Sequence, residues 1–128
     1  MKTSSSNNTS TATANTTKSI DSGIYIIGAL VNPKGRDSKK ETISLLNATD
    51  KKVSLHKWRF SDGKKKKKIL YNIELAAGEV KTIPMGSSKF TLTNTGMTIQ
   101  LINDASKKVH EVKYNKTDTK KEGWTVKF

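Results

Sequence analysis

The sequence predicts an all-β fold, a sandwich or barrel of about eight short and mostly antiparallel strands. Three observations support this prediction. Short segments rich in β-branched and aromatic residues recur along the chain. Gly, Asn and Asp separate these segments at intervals of roughly 8–12 residues, which is the spacing expected of strands joined by turns. No window shows a sustained helical period.

Alternation within the segments assigns their faces. Ile43 and Leu45 share one face of their segment, and Ile99 and Leu101 point inward from theirs. Trp58 stands at a strand opening and is the best candidate for a core anchor, because burying an aromatic ring removes roughly 150–250 Å² from water. In chain order, the predicted strands lie in GIYIIGALVN (23–32), ETISLLN (41–47), KVSLHKWRFSDG (52–63), KKILYNIELAAGEVKTIPM (67–85, two apolar segments separated by Ala-Gly), KFTLTNTG (89–96), MTIQLIND (97–104), KVHEVKYN (108–115) and GWTVKF (123–128).

The length and composition bound the domain organisation. A chain of 128 residues has room for one domain. Residues 1–19 are almost entirely Ser, Thr, Asn and Ala, which predicts a disordered polar tail or linker before a domain at 20–128. This start has no apolar stretch typical of a signal peptide, and no apolar run approaches the roughly 20 residues of a membrane span. We expect a monomer without a membrane span.

Residues that could carry catalysis are scarce. The chain has no cysteine, its acidic residues are scattered singly, and the run GKKKKK lacks the pattern of a phosphate-binding loop. His56 and His110 are far apart and lack metal-ligand spacing. His110 shares a face with Val112 and Tyr114, which favours a partly buried structural histidine, whereas His56 beside Lys57 is expected to be exposed. The sequence therefore predicts no enzyme, no cofactor and no metal.

Two other residues have two interpretations each. Asn47 either turns the chain by bonding nearby backbone or acts as a ligand, and the turn is favoured. Trp124 either covers one end of the sandwich as a lid or forms an exposed stacking surface, and the lid is favoured.

The net charge of +13, from 24 basic against 11 acidic residues, raises the question of a polyanionic partner. Five consecutive lysines, Lys64, Lys65, Lys66, Lys67 and Lys68, directly follow the turn signal SDG. The turns of a sandwich gather at its two ends, so some lysine clusters are expected to be neighbours. Further lysine doublets occur at Lys39 and Lys40, Lys51 and Lys52, Lys107 and Lys108, and Lys120 and Lys121.

Two hypotheses follow for these lysines. In the first, Lys64 to Lys68 bind DNA, RNA or another polyanion, with Lys39, Lys40, Lys107 and Lys108 adding to the field. Only Arg36 and Arg59 are arginines, so the contacts would be with phosphates and independent of base sequence. In the second, the lysines are solvated residues that keep the protein soluble and discourage strand pairing at sheet edges, and the domain has a structural or protein-binding role.

The middle of the chain resembles the lamin tail domain in its bacterial form. The resemblance covers about residues 24–128, and its order and spacing are more specific than any one motif. Lys57, Met97, Asn103 and Ser106 depart from the family pattern, which argues against a cation site at the turns. The pattern is carried by Glu41, Leu45, Asn47, Leu55, Trp58, Asp62, Gly63, Ala77, Gly78, Leu92, Asn94, Gly96, Ile99, Leu101, Val112 and Tyr114.

This resemblance implies an immunoglobulin-like β-sandwich without catalytic residues of its own. It also implies an accessory module of the kind found attached to secreted or envelope-associated hydrolases. The segments 28–47 and 107–128 look most like the version attached to DNA/RNA non-specific endonucleases. In animals the family forms the globular tail of nuclear intermediate filaments.

Overall fold

A computed structural model describes residues 22–31, 41–86, 90–120 and 125–128. These residues form ten β-strands and one short 3-10 helix, Lys116–Thr119, with no α-helix among them. The all-β prediction is confirmed, and three of the strands are only two residues long. The strands are β1 (Ile24–Leu30), β2 (Thr42–Asn47), β3 (Val53–Ser54), β4 (Arg59–Ser61), β5 (Lys67–Ile69), β6 (Glu74–Leu75), β7 (Val80–Pro84), β8 (Gly96–Ile102), β9 (Lys108–Asn115) and β10 (Val126–Lys127).

The strands form two four-stranded sheets and a two-stranded ribbon. The first sheet has the order β10-β1-β2-β7, the second has the order β5-β4-β8-β9, and the ribbon pairs β3 with β6. Every strand pair is antiparallel. The arrangement is consistent with the predicted immunoglobulin-like sandwich.

One continuous core joins the sheets. The predicted inward residues Ile43, Leu45, Ile99 and Leu101 are all fully buried, and Trp58 is buried with 8% of its surface exposed. These placements confirm the alternation read from the sequence. The largest fully buried side chains are Phe60 and Phe90, which sequence analysis did not single out and whose rings stack with centroids 6.5 Å apart.

A bulge in β1 changes which residues face this core. Ile26 pairs with Leu45, whereas Gly28 pairs with Ser44, so Ile27 is the extra residue. Before the bulge, Ile24 and Ile26 are buried; after it, Ala29 and Val31 take the inward positions. The bulge therefore keeps both halves of the strand packed on one core.

His110 links the two sheets. Its Nδ1 accepts a hydrogen bond of 2.9 Å from the backbone N–H of Ile26, and its ring meets Tyr25 edge-on at 5.2 Å between centroids. Burial lowers the pKa of His110, and the negative charge of Glu111, which raises it, offsets this shift only in part. The partly buried structural histidine predicted from the sequence is therefore confirmed, and its neutral form is the one that makes this bond.

Some sequence predictions fall outside the described residues. They are the polar tail at 1–19, the placement of Trp124, and the doublet of Lys39 and Lys40. In the part of the chain that is described, no helix has the length and apolar character needed to cross a membrane.

Candidate functional site

The run of five lysines begins in the tight turn between β4 and β5. The carboxylate of Asp62 organises this turn, because its Oδ1 accepts hydrogen bonds from the N–H groups of Lys64 (2.8 Å) and Lys66 (3.2 Å). Gly63 has a φ of 79°, in the left-handed region that glycine adopts without strain. Asp62 is thus engaged with the backbone of the same loop.

The lysines differ in how far they reach solvent. Lys64 to Lys67 are exposed, whereas Lys68 is half-buried. Lys68 pairs with the buried Phe60, which places its side chain on the inner face of the sheet, and Leu70 rather than Ile69 is the apolar residue that turns inward. An inward-pointing charge on an edge strand discourages pairing with another sheet. The loop therefore offers four freely solvated cations.

A polar groove of about 370 Å³ lies against this loop. We name it the threonine groove. Four threonines and two of the loop lysines line it, so it presents hydroxyls beside ammonium groups. Its lining residues are Asp62, Lys64, Lys66, Thr91, Thr93, Thr95, Gly96, Met97 and Thr98.

Segment 91–95 forms one wall of the groove; no strand is assigned to it, and its last two residues form a turn. Side chains packed behind the segment hold its backbone. Glu41 Oε1 accepts from the N–H of Leu92 at 2.9 Å. The hydroxyls of Tyr114 and Thr119 donate to the carbonyls of residues 93 and 94, at 2.7 Å and 2.6 Å. Glu41 and Thr119 are each 5% exposed, and burial raises the pKa of Tyr114 to about 12. The wall is therefore fixed before any ligand arrives.

More lysines flank the groove on its far side. Lys113 pairs with Thr98 across β8 and β9 and is exposed, and the 3-10 helix Lys116–Thr119 follows the end of β9. Lys116 and Lys120 are also exposed. The acid in this helix, Asp118, accepts from the N–H of Asn115 at 2.8 Å in a capping box. We call the set Lys64, Lys65, Lys66, Lys113, Lys116 and Lys120 the basic end.

The strand register separates Lys107 and Lys108 from the loop lysines. The β4–β5 turn lies beyond the Ser61–Lys67 pair, whereas the β8–β9 turn lies beyond Ile102 at the other end of the same strands. Lys108 also makes an ion pair of 3.1 Å with Glu111. A hydrogen bond from Gln100 is the main cause that holds the pKa of Glu111 below its usual range, and the hydrogen bond and charge of Lys108 lower it further.

The described residues were predicted to lack metal-binding spacing. They hold no group of three His, Asp or Glu side chains that could bind a metal ion. A second, shallower cavity of about 630 Å³ includes His56, but its charges are paired: Lys52 with Glu74 at 3.7 Å and Lys81 with Glu79 at 4.0 Å. His56 is exposed, as predicted, and its Nδ1 accepts from the N–H of Asn72 at 3.1 Å.

Sequence analysis missed most of the groove. The alternating threonines of TLTNT were visible in the sequence, but only the pairing of β8 with β4 and β9 shows that they adjoin the lysine loop. Lys113 and Lys116 were not singled out because neither belongs to a lysine cluster.

Asn47 is fully buried and organises the opposite end of the fold. Its side-chain amide donates to the carbonyls of Lys51 (2.7 Å), Leu75 (3.0 Å) and Ala76 (3.1 Å). Its Oδ1 accepts from both the N–H (2.9 Å) and the hydroxyl (2.7 Å) of Thr49. The prediction that Asn47 turns the chain by bonding nearby backbone is confirmed.

The two packed sheets define a β-sandwich of the immunoglobulin-like kind. The family model of the lamin tail domain matches residues 6–116, most of the chain. The protein therefore belongs to the lamin tail domain family, as the sequence resemblance indicated. The match begins inside the predicted polar tail and ends before β10. A search of curated proteins finds no match.

Proposed function

We propose that this domain is a non-catalytic module that binds DNA, RNA or another polyanion through phosphates, at the basic end. One observation carries the proposal: the exposed lysines of the loop share a groove with four threonine hydroxyls. Asp62 and Asp118 lie in the same loop and helix as these lysines and accept bonds from backbone amides, and the charge of Glu111 acts on Lys113. The lysines of the basic end outnumber these acids, so the described residues leave an excess of positive charge here.

The chemistry of these groups sets the kind of recognition. Lysine supplies a point charge without the bidentate geometry that reads base edges, and threonine hydroxyls can donate to phosphate oxygens. Binding is expected to follow the release of counterions and to be independent of sequence. In this role the domain would hold an attached or partner hydrolase on its nucleic-acid substrate.

The first experiment is a titration with DNA of unrelated sequences between about 50 mM and 200 mM salt. Four engaged phosphates give a slope of roughly −4 in a plot of log affinity against log salt. A variant with Lys64, Lys65 and Lys66 changed to Ser is expected to flatten the slope by about 3. The matched control changes Lys51, Lys107 and Lys127 to Ser, which removes the same charge from exposed lysines away from the groove.

The outcomes separate the two hypotheses for the lysines. Weak binding that ignores salt would refute the proposal, and so would equal losses in the loop variant and the control, because net charge alone would then explain the effect. In that case the domain is better regarded as a structural or protein-binding module. Turnover of DNA by the purified chain would contradict the non-catalytic part.

A further inference from the structure

An exposed apolar stripe runs along the edge of the second sheet, starting beside the lysine loop. Leu70 is buried at 1% exposure, so the alternation of β5 and the residues after it turns Ile69 and Tyr71 outward. These two side chains are 39% and 58% exposed, among the few large apolar groups that reach solvent in the described residues. Lys67 lies on the same face one step closer to the loop.

The aromatic ring in this stripe is held in place. His56 meets Tyr71 edge-on, with ring centroids 5.8 Å apart and planes at 64°. His56 is itself fixed, because its Nδ1 accepts the N–H of Asn72. The backbone bonds between Leu70 and residues 57 and 58, both 2.7 Å, extend the pairing of β4 and β5 up to this point. The ring therefore has little freedom to lose when a ligand stacks on it.

Cations border the stripe. Arg59 pairs directly with Ile69 on the outer face of the sheet. Lys57 and Lys67 also border the stripe, and both are exposed. Within the described residues no carboxylate lies at salt-bridge distance from any of the three. Arg59 does make a bond of 3.3 Å from Nη2 to the hydroxyl of Ser106, which orients the guanidinium. A partner that fits this stripe has flat apolar groups alternating with negative charges.

From this placement, we propose that the preferred polyanion is single-stranded nucleic acid, with an unpaired base stacked on Tyr71 and the adjoining phosphates at Lys57 and Lys67. This inference rests on the function proposed above and adds the substrate class. Tyr71 lies four residues after Lys67 and two residues beyond the end of β5, a span of roughly 13 Å for extended backbone. The span lets one strand run from the lysine loop along the sheet edge. Bases in a duplex are stacked on one another and leave no free face for the ring.

The experiment compares three probes of matched charge: a single strand of about 20 nucleotides, the duplex of the same sequence, and inorganic polyphosphate. Tyr71→Ala is expected to weaken single-strand binding by about 5- to 150-fold, as stacking on one aromatic ring does in other proteins. Binding of duplex and of polyphosphate should stay within twofold of wild type. Tyr71→Phe, which keeps the ring and removes the hydroxyl, should retain single-strand affinity.

Val80→Ala is the matched control, because Val80 is 52% exposed but lies on the other sheet. The lysine-loop variant described above separates the two proposals. If the loop variant weakens all three probes while Tyr71→Ala changes none, phosphate binding stands and the stacking proposal fails. If Tyr71→Ala weakens all three probes equally, stacking is also refuted. If no probe binds the wild-type chain, both proposals fail. Tighter binding of an acidic peptide than of any nucleic acid, lost in Tyr71→Ala, would assign the stripe to a protein partner instead.

Discussion

Replacing Asn47 with Ala is expected to destabilise the domain more than any other single change of a polar side chain that we describe. Asn47 ties together the end of β2, the following turn and the segment after β6. The two amide hydrogens serve three carbonyls between them, and the side-chain oxygen accepts two bonds from Thr49. The variant therefore removes about four hydrogen bonds at a site with no exposed surface.

The magnitude follows from these bonds. Each contributes roughly 1 kcal/mol net, so the free energy of unfolding should fall by about 3–4 kcal/mol, with some recovery if water enters the vacated space. Domains are commonly stable by only about 5–15 kcal/mol, so the loss is a large fraction of the total. Urea unfolding followed by tryptophan fluorescence measures it through the midpoint and slope of the transition.

Asn103 supplies the matched control for this measurement. It also bonds nearby backbone, since its Oδ1 accepts from the N–H groups of Ala105 (3.0 Å) and Lys107 (2.9 Å), but its turn is solvated. Asn103→Ala should cost about 1 kcal/mol or less, because water can replace the lost partner. Equal costs at the two asparagines would show that the buried network of Asn47 contributes no more than an ordinary turn, and the reasoning would be wrong.

Two further predictions concern the frame around the site. Because burial lowers the pKa of His110, the folded chain takes up this proton less readily than the unfolded chain, whose histidine titrates at about 6.5. The free energy of unfolding should therefore hold its full value above about pH 6.5 and fall as the pH drops below it. Urea midpoints measured from about pH 8 to pH 5 test this. The midpoints of His110→Gln should change less with pH than those of the wild type, and His56→Gln is the control. Gly78→Ala should lower the free energy of unfolding by about 1–2 kcal/mol, because its φ is positive and no other atom lies near the new Cβ. Gly96→Ala should lower it more, because the new Cβ would also lie 3.0 Å from the Tyr114 carbonyl oxygen. Thermal unfolding of the two variants tests this order, and equal losses of stability would contradict it.

The sequence predicted the parts of the fold that depend on local pattern. Alternation was enough to place Ile43, Leu45, Ile99 and Leu101 in the core, because a strand with one buried face must repeat every two residues. Alternation alone does not say whether Ile69 or Leu70 faces inward, because the start of this strand is not fixed by its sequence. Only the pairing of Lys68 with Phe60 decides between them.

Irregular pairing accounts for what local pattern could not predict. The bulge between β8 and β9 pairs Leu101 with His110 but Ile102 with Lys108. Val109 is therefore the extra residue of the bulge, and its side chain is buried. A reading with strict alternation places Val109 outside. The stacking of Phe60 on Phe90 likewise joins residues thirty positions apart, and neither local segment contains that information.

The candidate site shows the same division between local pattern and long-range pairing. Local sequence placed the run from Lys64 to Lys68 directly after a turn, but charge counts could not say which other lysines adjoin it. The register decides that question by placing Lys113 beside Thr98, next to the groove, and Lys108 toward the opposite end, in an ion pair with Glu111. A cluster of lysines in sequence is therefore a weaker guide to a phosphate site than two lysines on strands that the sheet brings together.

The wall of the groove and its charges are carried by different residues. Glu41 and Tyr114, which hold the backbone of segment 91–95, occupy positions of the family pattern that the sequence resembles. The lysines of the loop do not. Changing those lysines should thus alter affinity while leaving the wall in place, whereas removing the buried carboxylate should disturb the wall without changing the lysines. The residues that hold the wall and the lysines proposed to attract a polyanion are different residues, so each set can be tested without the other.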